Sequence, residues 1–228
     1  MHRVVVSAVA VVLMSGGGAA WAGPDWVEQG DAGSIPGRAQ RTIGTGDLRS
    51  ISGTLSEGLS VPDYEDLYFI QILNPTGFRF DLTRASFDTQ VFIFELRPDS
   101  NEFAYGLLGN DDGIVQGKPV MGSLIDGPAN DGSGARITKP GIYLLAITGY
   151  GRIPMSYTGP IYSFASRTEI SGPDGQGGLD PLEAWEGRGA VGRYRIELEG
   201  VGFSHVPGPG AACPLVLWGV LASRRRRA

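Results

Sequence analysis

The middle of the chain is divided into short apolar or alternating runs separated by Gly, Pro, Asn and Asp. Ile51 to Leu55 is short and flanked by glycine. Leu67-Tyr68-Phe69-Ile70-Gln71-Ile72-Leu73 is a nearly continuous apolar run, which suits a central strand of a sandwich. Asn74-Pro75-Thr76-Gly77 is a turn signal. Phe78 to Thr83 then alternates cleanly, with Phe78, Phe80 and Leu82 on one side. Val91 to Leu96 is a second buried run, and Ala104 to Leu108 is its expected partner, ended by the turn Gly109-Asn110-Asp111-Asp112-Gly113. Pro140-Gly141 introduces Ile142 to Thr148, and Arg193 to Glu199 sets Tyr194, Ile196 and Leu198 against charged neighbours. Strands of this length and spacing predict an all-β domain over residues 48–200, an antiparallel β-sandwich of jelly-roll-like type.

Three segments depart from that rhythm. Residues 23–47 are rich in Gly, Ser and Ala with little periodicity, and read as a leader that is partly ordered at best. Asp180 to Trp185 is the one helix predicted in the body, with Asp180 as cap, Pro181 in the first position and Glu183 in the third. Residues 149–192 show no convincing strand pair, and loops longer than ~12–15 residues are usually functional or disordered. Tyr150, Tyr157, Tyr162 and Trp185 in this loop are candidate ligand-facing aromatics, able to stack on sugars or dock a partner. The competing reading folds them, with Phe164, back onto the body, since buried aromatics carry much packing area.

Composition removes several chemistries. One cysteine cannot form an intrachain disulfide or a Cys-rich zinc site, and the only histidines, His2 and His205, lie near opposite ends. Ser-His and Cys-His nucleophiles are therefore unavailable to the body. Charged residues make up 19% and the net charge is −5, which argues against a nucleic-acid partner. Glycine occupies 36 of 228 positions without a three-residue period, pointing to turns and not to collagen.

Both ends read as addresses. In residues 1–22 a short basic start precedes the apolar run Val4 to Met14, and Ala20-Trp21-Ala22 forms an A-x-A cleavage site before Gly23. Residues 201–228 hold Val206-Pro207-Gly208-Pro209, a short apolar run from Ala211 to Ala222, and Arg224, Arg225, Arg226 and Arg227. Pro and Gly break structure, the apolar run enters the membrane as a short sorting helix, and the arginines stop on the cytoplasmic side. This tail resembles the PEP-CTERM sorting signals of bacterial surface proteins. The resemblance implies passage through the inner membrane and cleavage near Val206–Pro209 by an exosortase-type membrane protease. Gly208 stands where the commonest version of the motif carries Glu. The alternative is a plain anchor left uncut, against which stands an apolar run shorter than the ~20 residues of a free span.

Removing the two ends changes the charge. Of 19 basic residues one lies in the signal and four in the tail, leaving 14 against 24 acids, a net of −10 for the body. An acidic, thiol-free, exported domain fits surroundings that contain calcium, which prefers hard oxygen ligands.

The order Asp66-Leu67-Tyr68-Phe69, Phe87-Asp88-Thr89, Asn110-Asp111-Asp112 and Pro140-Gly141-Ile142-Tyr143 resembles the bacterial pre-peptidase C-terminal (PPC) family. The resemblance implies a β-sandwich module; the chain departs from the family in lacking an attached peptidase and in its long aromatic loop. Two readings of the Asp-rich turn stand side by side. Asp111-Asp112-Gly113 can serve a tight turn, with Asp bonding nearby backbone and Gly taking positive φ. Alternatively Asp88, Asn110, Asp111 and Asp112 supply oxygens to calcium, joined by Asp63, Glu65 and Asp66 or by Asn130 and Asp131. No segment has EF-hand spacing.

The expected function is a non-catalytic protein of the cell surface or extracellular matrix, binding an exopolysaccharide or a surface protein. The alternatives are a purely structural matrix component, or a small polysaccharide-active enzyme using paired carboxylates.

Overall fold

The computed structural model describes residues 24–58, 62–97 and 103–205. The signal-cleavage residues Ala20, Ala22 and Gly23, the motif Val206–Pro209 and the cluster Arg224–Arg227 lie outside the described residues. No helix among the described residues is long and apolar enough to cross a membrane.

The chain is all-β. Its first strands are β1 (Asp25–Val27), β2 (Gln40–Arg41), β3 (Ser50–Leu55), β4 (Glu65–Ile72) and β5 (Arg79–Asp81). Next come β6 (Thr89–Leu96), β7 (Ala104–Asn110), β8 (Gly113–Val115), β9 (Lys118–Val120) and β10 (Leu124–Ile125). The remainder are β11 (Gly141–Gly149), β12 (Ile153–Ser156), β13 (Gly159–Pro160), β14 (Ile170–Ser171), β15 (Ala184–Glu186), β16 (Gly192–Glu199) and β17 (Val201–Phe203).

Two large sheets enclose a common core. A five-stranded sheet runs β1-β3-β16-β5-β10, and a seven-stranded sheet runs β14-β7-β6-β11-β4-β17, with β2 also on β4. Ile51, Phe80, Ile196 and Leu198 from the first pack with Tyr68, Ile70, Ile93, Leu145 and Ile147 from the second. The predicted alternation on β16 holds: Tyr194, Ile196 and Leu198 are buried while Arg193, Arg195 and Glu197 are exposed.

The continuous apolar runs have a different cause. Both faces of the seven-stranded sheet are covered, so β4 and β6 carry apolar residues at successive positions. On the outer face Leu67, Phe69, Phe92, Phe94, Leu144 and Ala146 meet Ile161, Tyr162, Leu182 and Trp185. Each fully buried large apolar side chain contributes roughly 1.5–3 kcal/mol. The segment 149–192 is thus a third layer. It has strands of its own, in the three-stranded sheet β13-β12-β15, and β14 pairs with β7.

Two expectations are corrected here. The segment expected to be a partly ordered leader joins the fold: β1 runs parallel to β3, β2 runs parallel to β4, and Ala32 and Thr42 are buried. Trp26 Nε1 donates to Gln40 Oε1 at 2.8 Å, closing the segment on itself. Three- and two-residue edge strands are too short to show a period. The predicted helix at Asp180–Trp185 is absent. Leu182 N instead donates to the Ala104 carbonyl and β15 pairs with β12, because Leu182 and Trp185 are drawn onto the sheet.

Candidate functional site: two carboxylate clusters

Among the described residues the structure gathers acids at two places. Asp88, Asp111 and Asp112 each bring a carboxylate oxygen within 4.8 Å of the others, and so do Glu28, Asp63 and Asp66.

The first cluster forms where β6 begins and β7 ends. Asp88 precedes β6, whereas Asp111 and Asp112 connect β7 to β8. Val91 pairs with Asn110, which brings the start of one strand beside the end of the other. Asn110 holds this junction: its Nδ2 donates to the Asp112 and Glu169 carbonyls at 3.1 and 2.9 Å. Its Oδ1 accepts from Leu124 N at 2.7 Å. Both ends of the Asn110 amide are therefore spent on backbone, so this residue positions the cluster and does not offer it the expected free oxygen.

The carboxylates are handled differently. Oδ1 of Asp88, Asp111 and Asp112 and Oε1 of Gln90 are all buried without a hydrogen-bond partner among the described residues. Burial, reinforced by the charges of Asp112 and Asp88, pushes the Asp111 carboxyl up to about 7; Arg167 and the Gln90 amide pull the other way. Burial also raises Asp88, followed by repulsion from Asp112, while Arg167 opposes. The tight-turn chemistry is not found: Gly113 is not among the glycines with positive φ, and no backbone N–H reaches either unpartnered Asp oxygen.

The second cluster joins the N-terminal segment to β4. Glu28 follows β1, and its Oε2 accepts from Thr54 N at 3.0 Å. Asp66 is wholly buried in β4; its Oδ2 accepts from Tyr194 Oη at 2.6 Å, while its Oδ1 has no partner. The Tyr68 and Tyr194 hydroxyls lie 2.6 Å apart, extending the chain of polar groups into the core. Burial pushes Asp66 up to about 8 against the pull of the Tyr194 hydrogen bond, and so favours its protonated form. Burial, then Asp31, Glu28 and Glu65, raises Asp63 to about 7. Gly53 is obligatory beside them, because a Cβ there would overlap the Tyr194 hydroxyl and crowd Glu28 Oε2 at 2.8 Å.

Other sequence candidates are accounted for structurally. Glu65 is paired with Arg152 through two bonds, of 2.7 and 3.1 Å. Asn130 Oδ1 accepts from Ile170 N, and Asp131 accepts from Ser133 and Gly172. Neither joins a cluster. Glu28 was missed by sequence reasoning; only the parallel pairing of β1 with β3 brings it near Asp66, and no local signal marks it.

The four aromatics separate into two pairs. Tyr157 is 91% exposed and Tyr150 is 42% exposed. Tyr162 and Trp185 are buried, which corrects their reading as ligand-facing. Trp185 Nε1 donates to the Ser34 carbonyl at 2.7 Å, and its ring packs against Phe92 and Phe94. Tyr162 repairs a bulge. The β6–β7 register shifts at Ile93/Phe94, and the Tyr162 hydroxyl donates to Ile93 O and accepts from Leu107 N, both at 3.0 Å.

A third feature lies on the exposed face of the five-stranded sheet. Asp81, Arg84, Ser86, Arg193, Arg195 and Glu197 line a shallow cleft of about 770 Å³. Arg195 is committed to Glu197 and Asp25. Arg84 and Arg193 take part in no salt bridge among the described residues, and both are exposed. No model of a known protein family matches the chain, and no curated protein matches it.

Proposed function

We propose that the chain is a non-catalytic, exported module of the bacterial cell surface or extracellular matrix that adheres to an anionic polysaccharide. On this reading the facing sheets are a PPC-like sandwich of jelly-roll type, and the tail is a sorting signal cut by an exosortase-type protease. The observation that carries it is the cleft lined by Arg84 and Arg193. Two exposed guanidiniums without acid partners, in a body of net charge −10, form a local site for carboxylate or sulfate groups spaced along a polymer. Ser86 adds a neutral hydroxyl for sugar contacts. With Tyr162 and Trp185 turned inward, the surface features that support recognition are the cleft and, apart from its lining, the exposed rings of Tyr150 and Tyr157.

Affinity electrophoresis through gels containing polygalacturonate or alginate tests this. Retardation of the wild-type body, weakened at least tenfold in the Arg84→Ala/Arg193→Ala double variant, is the expected result. No retardation in any anionic polymer would favour a purely structural component. Shortening of the polymer would favour the enzyme. Mass and cell fraction of the mature protein test the sorting: loss of both ends is expected, whereas Arg224–Arg227 retained in a membrane fraction would mean a simple anchor.

A further inference from the structure

The cluster at Asp88, Asp111 and Asp112 is not explained by the fold around it. Acids placed in turns for structural reasons accept backbone N–H groups, as Asp131 does from Ser133 and Gly172. Here each of three neighbouring carboxylates leaves Oδ1 buried without a donor. Asp111 and Asp112 are 3% and 8% exposed. A fourth oxygen, which is not acidic, shares this condition: Oε1 of Gln90 is unpartnered in a side chain only 3% exposed, and the Gln90 amide lies against Asp111. Three buried carboxylate oxygens thus converge without a hydrogen-bond partner among the described residues, beside a buried Gln90 side chain that is itself only partly satisfied.

The nearest cation does not meet the need. Arg167 acts on both Asp88 and Asp111, but its Nη2 donates to Tyr150 Oη at 3.1 Å and its guanidinium lies 4.6 Å from the Tyr150 ring centre. One positive charge directed elsewhere leaves three acids under-compensated.

We infer that Asp88, Asp111 and Asp112 bind one calcium ion. All three ligand residues offer hard carboxylate oxygens, with no sulfur or imidazole to favour zinc. Ligands on opposite sides of calcium, at ~2.3–2.6 Å, stand ~5 Å apart. The carboxylate oxygens lie within 4.8 Å of one another, so one ion reaches all three without moving the strands. Two or three carboxylates acting in bidentate fashion, with water, complete six to eight ligands, a flexible number that calcium accepts and magnesium does not. The site also has a mechanical position. Tyr150 N donates to the Asp88 carbonyl, Asp112 N to the Arg167 carbonyl, and Asn110 to the Glu169 carbonyl. An ion here therefore fastens the 149–192 layer to the starts and ends of β6 and β7.

The test uses the exported body, stripped with EDTA and melted with and without excess calcium chloride. The wild-type midpoint should rise by ~5–10 °C at a hundredfold excess over the dissociation constant. Asp111→Asn and, separately, Asp88→Asn should melt no lower than wild type in EDTA and lose most of the rise. Equilibrium dialysis should show one calcium equivalent fewer in each. Glu28→Gln, in the other cluster, should keep the rise attributed here to Asp88, Asp111 and Asp112. The assignment is overturned if wild type does not respond, or if Asp88→Asn and Asp111→Asn respond as wild type does. An equal response to magnesium chloride would overturn calcium as the ion.

Discussion

Replacing Asp66 with Asn should flatten the dependence of stability on pH. Asp66 is wholly buried, its Oδ2 is taken by Tyr194, and its Oδ1 meets no donor. Its carboxyl is held at about 8, burial being the largest cause, against ~3.9 in an unfolded chain. Between those values the folded protein keeps a proton that the unfolded chain has released. Stability is thus highest below pH 4 for this group and declines as pH rises toward 8. One such group gives a slope of ~1.4 kcal/mol per pH unit, or ~2–4 kcal/mol between pH 5 and 8 once Glu28 shares the response. Asn keeps the shape, can accept from Tyr194 and does not titrate. Asp111, pushed to about 7 in the other cluster, contributes a slope of the same sign in both proteins, so the difference between the two curves reports Asp66 together with its coupling to Glu28 and Asp63. Urea unfolding in EDTA at pH 5, 6, 7 and 8 is the assay. The variant should match wild type near pH 5 and exceed it by ~2–4 kcal/mol at pH 8. Parallel curves, or a variant weaker than wild type at pH 8, would refute the reasoning.

Two further outcomes follow from packing and pairing. Arg152→Met strands Glu65, whose side chain is 6% exposed, and should cost ~3–5 kcal/mol in urea unfolding at pH 7; a loss below 1 kcal/mol would mean that water replaces the guanidinium. Trp185→Ala should cost ~3–5 kcal/mol, whereas Tyr157→Ala should stay within ~0.5 kcal/mol, because one ring is buried against Phe92 and Phe94 and the other stands in solvent. If Trp185→Ala instead left stability intact and abolished polysaccharide retardation, its inward packing would be refuted.

Strands whose patterns are local are legible from the residues alone. The alternation from Arg193 to Glu199 and the apolar runs on β4 and β6 read correctly because burial of one or both sheet faces acts on each residue through its own side chain. The sequence also brought Asp88 and the pair Asp111-Asp112 forward as oxygen donors, because three acids near strand ends are visible without coordinates. Tertiary structure decided what lay against those strands. A second apolar face on β6 demands a cover, yet nothing near Phe92 or Phe94 says that Tyr162 and Trp185 supply it. Asn110 looked like a ligand and proved to be a brace, since only the approach of Leu124 and Glu169 consumes its amide. Glu28 reaches Asp66 only through pairing between distant segments, and a three-residue edge strand leaves too short a pattern to announce it. Whether a buried oxygen has a donor depends on such long-range neighbours, so the unpartnered atoms of Gln90, Asp111 and Asp66 belong to the fold and not to any stretch of sequence.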